Sequence, residues 1–250
     1  MFCDRPMRYI LSGSSRETLQ QLIATSALLA FDFDGTLAPI VTDPDRARMR
    51  ARTGQLLRCV AGAYPCVVIS GRSRADLRSK LAGTGIRHTI GNHGAEPWDG
   101  AAAVRRQVAA WSRVLSEALL SRPGIRIENK QLSLTVHYRQ CRQKAKARAQ
   151  IFQVGSLLQG ARQIDGKQAV SFVPANAPNK GMALRAEMER LGRHRAVYIG
   201  DDETDEDVFN LNEGPRLLTI RVGRSIRSRA DYFIRSQAEI DQFLSALLPA

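Results

Sequence analysis

Three times along this chain a short, wholly apolar run stops abruptly on polar residues. Residues 27–31 (Ala-Leu-Leu-Ala-Phe) end on Asp32, residues 65–69 (Pro-Cys-Val-Val-Ile) on Ser70-Gly71, and residues 196–199 (Ala-Val-Tyr-Ile) on Gly200-Asp201-Asp202. Runs of four or five residues without alternation read as strands buried on both faces, as in a parallel sheet. Segments of helical spacing separate them: 15–25, 52–63, 75–81, 181–191, 206–211 and 240–248, with further short strands at 88–90 and 217–222. Alternating strands and helices predict a doubly wound α/β core with a Rossmann-like parallel sheet, which binds ligands outside the C-terminal ends of its strands.

Between these halves the texture changes. Residues 102–120 read as a long helix, 126–138 as a half-buried antiparallel strand, and 142–158 as a basic helix. Asp165-Gly166 is expected to centre a hairpin turn leading into 169–173. This predicts an inserted α+β cap domain at 102–174, flanked by core segments 1–101 and 175–250. Trp98 and Trp111 are read as packing residues.

The composition excludes few function classes. No run approaches 18 apolar residues, so no transmembrane helix is expected, and residues 1–15 have no apolar signal region. Cys3, Cys59, Cys66 and Cys141 have neither CxxC nor metal spacing, which suits free, mostly buried thiols in a cytoplasmic protein. The net charge is +13, with arginine supplying 31 of 37 basic residues. The charge is spread along the chain rather than clustered with aromatics, so no specific nucleic-acid partner and no membrane partner are expected. An anionic substrate is a sufficient reason for a positive field. A monomer acting on a small molecule is expected.

The segment Asp32-Phe33-Asp34-Gly35-Thr36 has the densest chemistry. Residues two apart on an extended chain share a face, so both carboxylates can approach one site, and a hard cation relieves their repulsion. Mg2+ suits two carboxylates plus phosphate oxygens, and a carboxylate can attack phosphorus while its neighbour moves protons. A calcium loop fails on spacing; a plain strand-end turn with incidental aspartates does not. Gly200-Asp201-Asp202-Glu203-Thr204-Asp205 supplies further acids for a metal site, or the acidic first turn of a helix. Ser70-Gly71-Arg72 offers a hydroxyl and turn amides to an anion, or a helix N-cap. Lys180 precedes a helix and is one of only six lysines.

In order and spacing these four pieces resemble the haloacid dehalogenase-like phosphatases. The resemblance implies Asp32 as nucleophile and Asp34 as acid/base, with Asp32, Asp34 and Asp201 at the magnesium. It implies Thr36, Ser70, Gly71, Arg72 and Lys180 as the phosphate set, with Asp202 and Asp205 supporting the metal site. The long gap between Ser70 and Lys180 places the cap there.

A narrower resemblance runs from residue 28 onward. Asp32–Ala38, Ser70–Ser73, Asn92-His93-Gly94-Ala95-Glu96, His137-Tyr138-Arg139 and Gly200–Glu206 look like the trehalose-6-phosphate phosphatase family. This implies a hydrolase of trehalose biosynthesis and carbohydrate metabolism, with His93, Glu128, Lys130 and Ser171 on the substrate. One departure stands out: where the family shows Glu-x-Lys/Arg-Pro on the later cap strand, this chain has Ser171-Phe172-Val173-Pro174. Ser171 and Val173 lack the family's charges, which leaves another sugar phosphate or phosphorylated glycoside as the alternative substrate. A non-enzymatic nucleic-acid-binding protein is the remote alternative, disfavoured by the paired Asp32 and Asp34.

Overall fold

The computed structural model describes residues 7–97 and 101–248; Cys3 and Trp98 lie outside them. The elements, in chain order, begin with β1 (Arg8–Tyr9), α1 (Gly13–Ile23), β2 (Leu28–Phe31), α2 (Ala51–Ala63), β3 (Cys66–Ile69), α3 (Arg74–Lys80) and β4 (His88–Ile90). Then come α4 (Ala101–Leu119), β5 (Arg126–Asn129), β6 (Leu134–His137), α5 (Lys144–Gly155), β7 (Ala161–Gly166) and β8 (Ala169–Pro174). The chain closes with α6 (Lys180–Arg190), β9 (Ala196–Gly200), α7 (Glu206–Phe209), β10 (Leu217–Val222), β11 (Tyr232–Ile234) and α8 (Ile240–Leu247). Two compact units result: Met1–Gly94 with Asn179–Ala250, and Ala95–Pro178. The divisions fall a few residues outside the expected 102–174.

In the first unit seven strands form a parallel sheet in the order β1-β11-β10-β9-β2-β3-β4. The central apolar runs feed two cores by simple alternation. Leu29, Phe31, Val68, Val197 and Ile199 pack on one side with Leu19, Leu57, Phe243 and Leu244 from α1, α2 and α8. Leu28, Ala30, Val67, Ile69, Ala196 and Tyr198 pack on the other with Leu184 and Met188 of α6 and Phe209 of α7. Each fully buried aliphatic or aromatic side chain stabilises the sheet by about 1.5–3 kcal/mol, so these strands tolerate no polar residue until they leave the core. The chain runs from β2 towards β3 on one side and from β9 towards β10 on the other. The crevice at the ends of β2 and β9 is therefore the switch point of the sheet.

The second unit is a four-stranded antiparallel sheet, β5-β6-β8-β7. Leu134, Val136, Val170 and Phe172 alternate onto a core with Val108, Trp111 and Leu115 of α4 and Ile151 of α5. Trp111 packs as expected, its Nε1 donating to the Gln159 carbonyl at 3.2 Å.

Two expectations here are corrected. Residues 126–138 are not one strand but the hairpin β5–β6. Gln131 adopts a φ of 69° and its N–H donates to Asn129 Oδ1 at 2.8 Å, a local turn that alternation of side chains does not reveal. The second hairpin turns at Lys167-Gln168, with Gln168 at φ 65°, two residues beyond Asp165-Gly166. The short strands β1, at the edge of the sheet, and β11 beside it were not expected at all. Among the described residues no helix is long and apolar enough to cross a membrane, and Cys59, Cys66 and Cys141 are free, with Cys59 exposed.

Candidate active site

Asp32 leaves the end of β2 still in register: its N–H donates to the Ile199 carbonyl of β9 at 2.9 Å. Asp201 follows β9 directly. One carboxylate oxygen from each of Asp32, Asp201 and Asp205 comes within 4.8 Å of the others, and all three residues are buried. Lys180, the first residue of α6, is also buried, and its ammonium donates at 2.8 Å to Asp32 Oδ1 and at 2.8 Å to Asp205 Oδ1. Burial pushes the Asp32 carboxyl well above the usual carboxylate range; the Lys180 charge pulls it back and Asp205 pushes it up again. Burial opposes the Lys180 charge in turn, but Asp205 and Asp32 outweigh it and hold the ammonium well above its ordinary value.

Asp205 uses all of its acceptor capacity. Its Oδ1 accepts from Lys180 and from the Tyr198 hydroxyl at 2.7 Å, and its Oδ2 accepts from the N–H groups of Asp201 at 2.7 Å and Asp202 at 2.9 Å. A carboxylate has roughly four such sites, so Asp205 organises the loop and the lysine. Asp32 and Asp201 are the pair fitted to hold an ion, a hard oxygen set of the kind that suits a hard divalent cation. Gly35 keeps that space open: its φ is +86°, and a Cβ there would lie 2.1 Å from Asp201 Oδ2. Arg221 of β10 fastens the acidic loop from outside, donating to the Asp201 carbonyl at 2.9 Å and to Glu206 Oε1 at 2.9 Å.

Asp34 and Arg72 are paired with each other. The Asp34 carboxylate forms a two-pronged pair with Arg72, Nε and Nη2 each at 2.7 Å. Arg72 also donates to Asp76 at 2.6 Å and to the Pro44 carbonyl at 2.8 Å. Its guanidinium fork matches the Asp34 carboxylate. Ser70 is buried at the end of β3 and its Oγ accepts from the Arg72 N–H at 3.3 Å. It is not a helix cap; Ser73 has that role, accepting from the Asp76 N–H. Thr36 is fully buried, and no hydrogen-bond partner of its Oγ1 is present among the described residues. His93, at φ 58°, lays its ring against Gly71, where a Cβ would lie 2.4 Å from the ring. Asp202 is half-buried; burial raises its carboxyl, but Lys180 and the Thr204 hydroxyl outweigh this and bring it down to about 2.

The family model described as trehalose-phosphatase matches residues 30–231. The chain belongs to the trehalose-phosphatase family. The trehalose-phosphate phosphatase of Mycobacterium ulcerans is 33% identical over 236 residues, spanning 87% of this chain and 60% of its own length. The probable trehalose-phosphate phosphatase E of Arabidopsis thaliana is 29% identical over 259 residues, 93% of this chain and 73% of its own. The chain thus spans about three fifths of the mycobacterial relative. Among solved structures, the C-terminal domain of Candida albicans trehalose-6-phosphate phosphatase superposes with a TM-score of 0.81 at 20% identity, covering 98% of this chain and 99% of that one. That likeness shows the fold.

In this family member the remaining candidates lie together on the second unit. Glu128, Thr135 and Ser171 stand opposite one another across β5, β6 and β8, on the face away from the apolar core. The Thr135 and Ser171 hydroxyls are 2.9 Å apart. Glu128 accepts from His137 Nε2 at 2.9 Å, and Lys130 Nζ is 3.9 Å from the same carboxylate. Burial raises the Glu128 carboxyl, but His137 and Lys130 outweigh it and bring it down to about 2. Sequence reasoning missed Tyr198 because it sits inside an apolar strand and reads as core. It missed the Arg72–Asp34 pair because nothing in either motif states that the two side chains meet.

Proposed function

We propose that the chain is a magnesium-dependent phosphatase that hydrolyses trehalose 6-phosphate to trehalose and phosphate. The observation that carries the reading is a buried Asp32, held between Lys180 and Asp201 at the switch point of the sheet, in a member of the trehalose-phosphatase family. Asp32 attacks phosphorus in line, a bond from its carboxylate oxygen to phosphorus forms, and the bond from phosphorus to the sugar oxygen breaks. Asp34, positioned by Arg72 and 38% exposed, takes up a proton from solvent, gives it to the leaving alkoxide and takes one back from the water that cleaves the aspartyl-phosphate. Lys180 favours the charged, nucleophilic form of Asp32 against the burial that opposes it, and Ser70 is the hydroxyl offered to the transferred group. A magnesium ion held by Asp32 and Asp201 supplies charge neutralisation to the phosphoryl oxygens.

Glu128 and Lys130 recognise the sugar from the second unit, which acts as the specificity domain. At Ser171 a hydroxyl paired with Thr135 replaces a charge, so one charge-assisted contact, worth about 1.5–3 kcal/mol, is replaced by a neutral one. Phosphate release from a panel of sugar phosphates tests the whole reading. Preference for trehalose 6-phosphate, lost in Asp32→Asn and on chelation of the metal, is expected. Activity that survives both changes overturns the mechanism; a clear preference for another phosphorylated sugar overturns the substrate.

A further inference from the structure

Outside the catalytic crevice, the first unit holds a cavity of about 460 Å3 between the start of α2 and the end of α3. Arg48, Arg50, Arg58 and Lys80 line it, and no carboxylate does. It shares no residue with the catalytic cluster. We propose that this cavity is a binding site for a small polyphosphate anion, whose diphosphate group is the recognised chemistry.

Lys80 is fixed in the wall by its ammonium, which donates to the Asp45 carbonyl at 3.0 Å and the Ala47 carbonyl at 3.1 Å, with Asp76 3.8 Å away. Its ammonium is held in place by these two carbonyls and the Asp76 ion pair. Arg50 pairs with Asp241 at 3.6 Å and donates to the Gln237 carbonyl at 3.3 Å. Arg48 and Arg58 are exposed and form no ion pair among the described residues. Like charges around a concave wall raise the local positive potential, a cost to folding that a bound polyanion reverses. The first turn of α2 opens into the same space without a side-chain cap, which adds to the positive character. The volume lies within the range of small-molecule sites.

Abundant arginine does not by itself explain the cluster. The cavity of about 280 Å3 beside α6 is also lined by arginines, Arg185, Arg193 and Arg216, but it interleaves Glu189 and Glu213, and Arg185 pairs with Glu213 at 2.6 Å. That cavity has two carboxylates among its lining residues, whereas the cavity between α2 and α3 has none. Arg50 and Lys80 have carboxylate partners outside the lining, but Arg48 and Arg58 have none among the described residues, and two such cations on one wall favour a ligand with more than one negative charge.

The test is calorimetric titration of the purified chain with pyrophosphate in metal-free buffer, at fixed ionic strength. The double variant Arg48→Ala/Arg58→Ala is compared with Arg185→Ala/Arg216→Ala, which changes the net charge equally. All four arginines are exposed or on open rims, so thermal unfolding of both variants should match the wild type. At least a tenfold weaker affinity in the first variant, with less than a twofold change in the second, is the expected result. No pyrophosphate binding to the wild type, unchanged affinity in the first variant, or equal weakening in both, overturns the site.

Discussion

Replacing Lys180 with methionine removes the ammonium that faces Asp32 and Asp205 and leaves buried carboxylates without it. At an effective dielectric of about 20, each contact at 2.8 Å amounts to roughly 6 kcal/mol of raw attraction. Most of that is offset by the cost of burying the lysine. The net loss is expected at about 3–5 kcal/mol, the range for breaking a buried pair by removing one partner. The loss is pH-dependent, with a definite sign. Burial already raises Asp32 and Asp205, and Lys180 restrains both. Without it their folded values climb further, so the variant takes up a proton that the wild type does not. Its deficit is full at alkaline pH and shrinks as pH falls, by at most about 1.4 kcal/mol per pH unit for one proton. Urea unfolding in EDTA at pH 8 and pH 6 reads this directly. Lys180→Arg keeps the charge and should lose less. A methionine variant less than about 1 kcal/mol destabilised, or equally destabilised at both pH values, would refute the reasoning.

Arg72→Lys keeps the charge but loses the two-pronged grip on Asp34, so kcat should fall about tenfold or more with KM changed less than about threefold; a raised KM at unchanged kcat would place Arg72 in the phosphate set. Tyr198→Phe removes a hydrogen bond to a buried carboxylate and should cost about 1.5–3 kcal/mol in urea unfolding; no loss would show that Asp205 is held without it. Glu128→Gln should destabilise the second unit by about 2 kcal/mol at neutral pH. Glu128 is lowered in the folded state, so this difference is present above its ordinary range near 4.5 and vanishes as pH falls towards 2; Trp111 fluorescence in an acid titration checks it, and a difference unchanged down to pH 2 contradicts it.

The strand ends of the first unit were legible because buried parallel strands admit no polar residue before they leave the core. The same rule that builds the sheet therefore marks Asp32, Ser70 and Asp201. Lys180 was legible from its place at the return from the inserted segment. What the pattern could not reveal is which long side chains meet. Arg72 crosses to Asp34, 38 positions away in sequence, because α3 also brings Asp76 beneath its guanidinium. Tyr198 alternates onto an apolar face and yet delivers its hydroxyl to Asp205. β1 has two residues and β11 three, too few for a period to register. The hairpin within residues 126–138 was hidden because Leu132 and Leu134 continue the alternation straight through the turn.

The central claim is that Asp32 carries the phosphoryl group. Rapid acid quench of the magnesium-loaded chain with trehalose 6-phosphate, followed by peptide mass spectrometry, tests it most directly. A phosphoryl adduct on the peptide that contains Asp32, absent in Asp32→Asn, is the result expected. Steady phosphate release by the wild type with no adduct on that peptide, and undiminished release by Asp32→Asn, would contradict it.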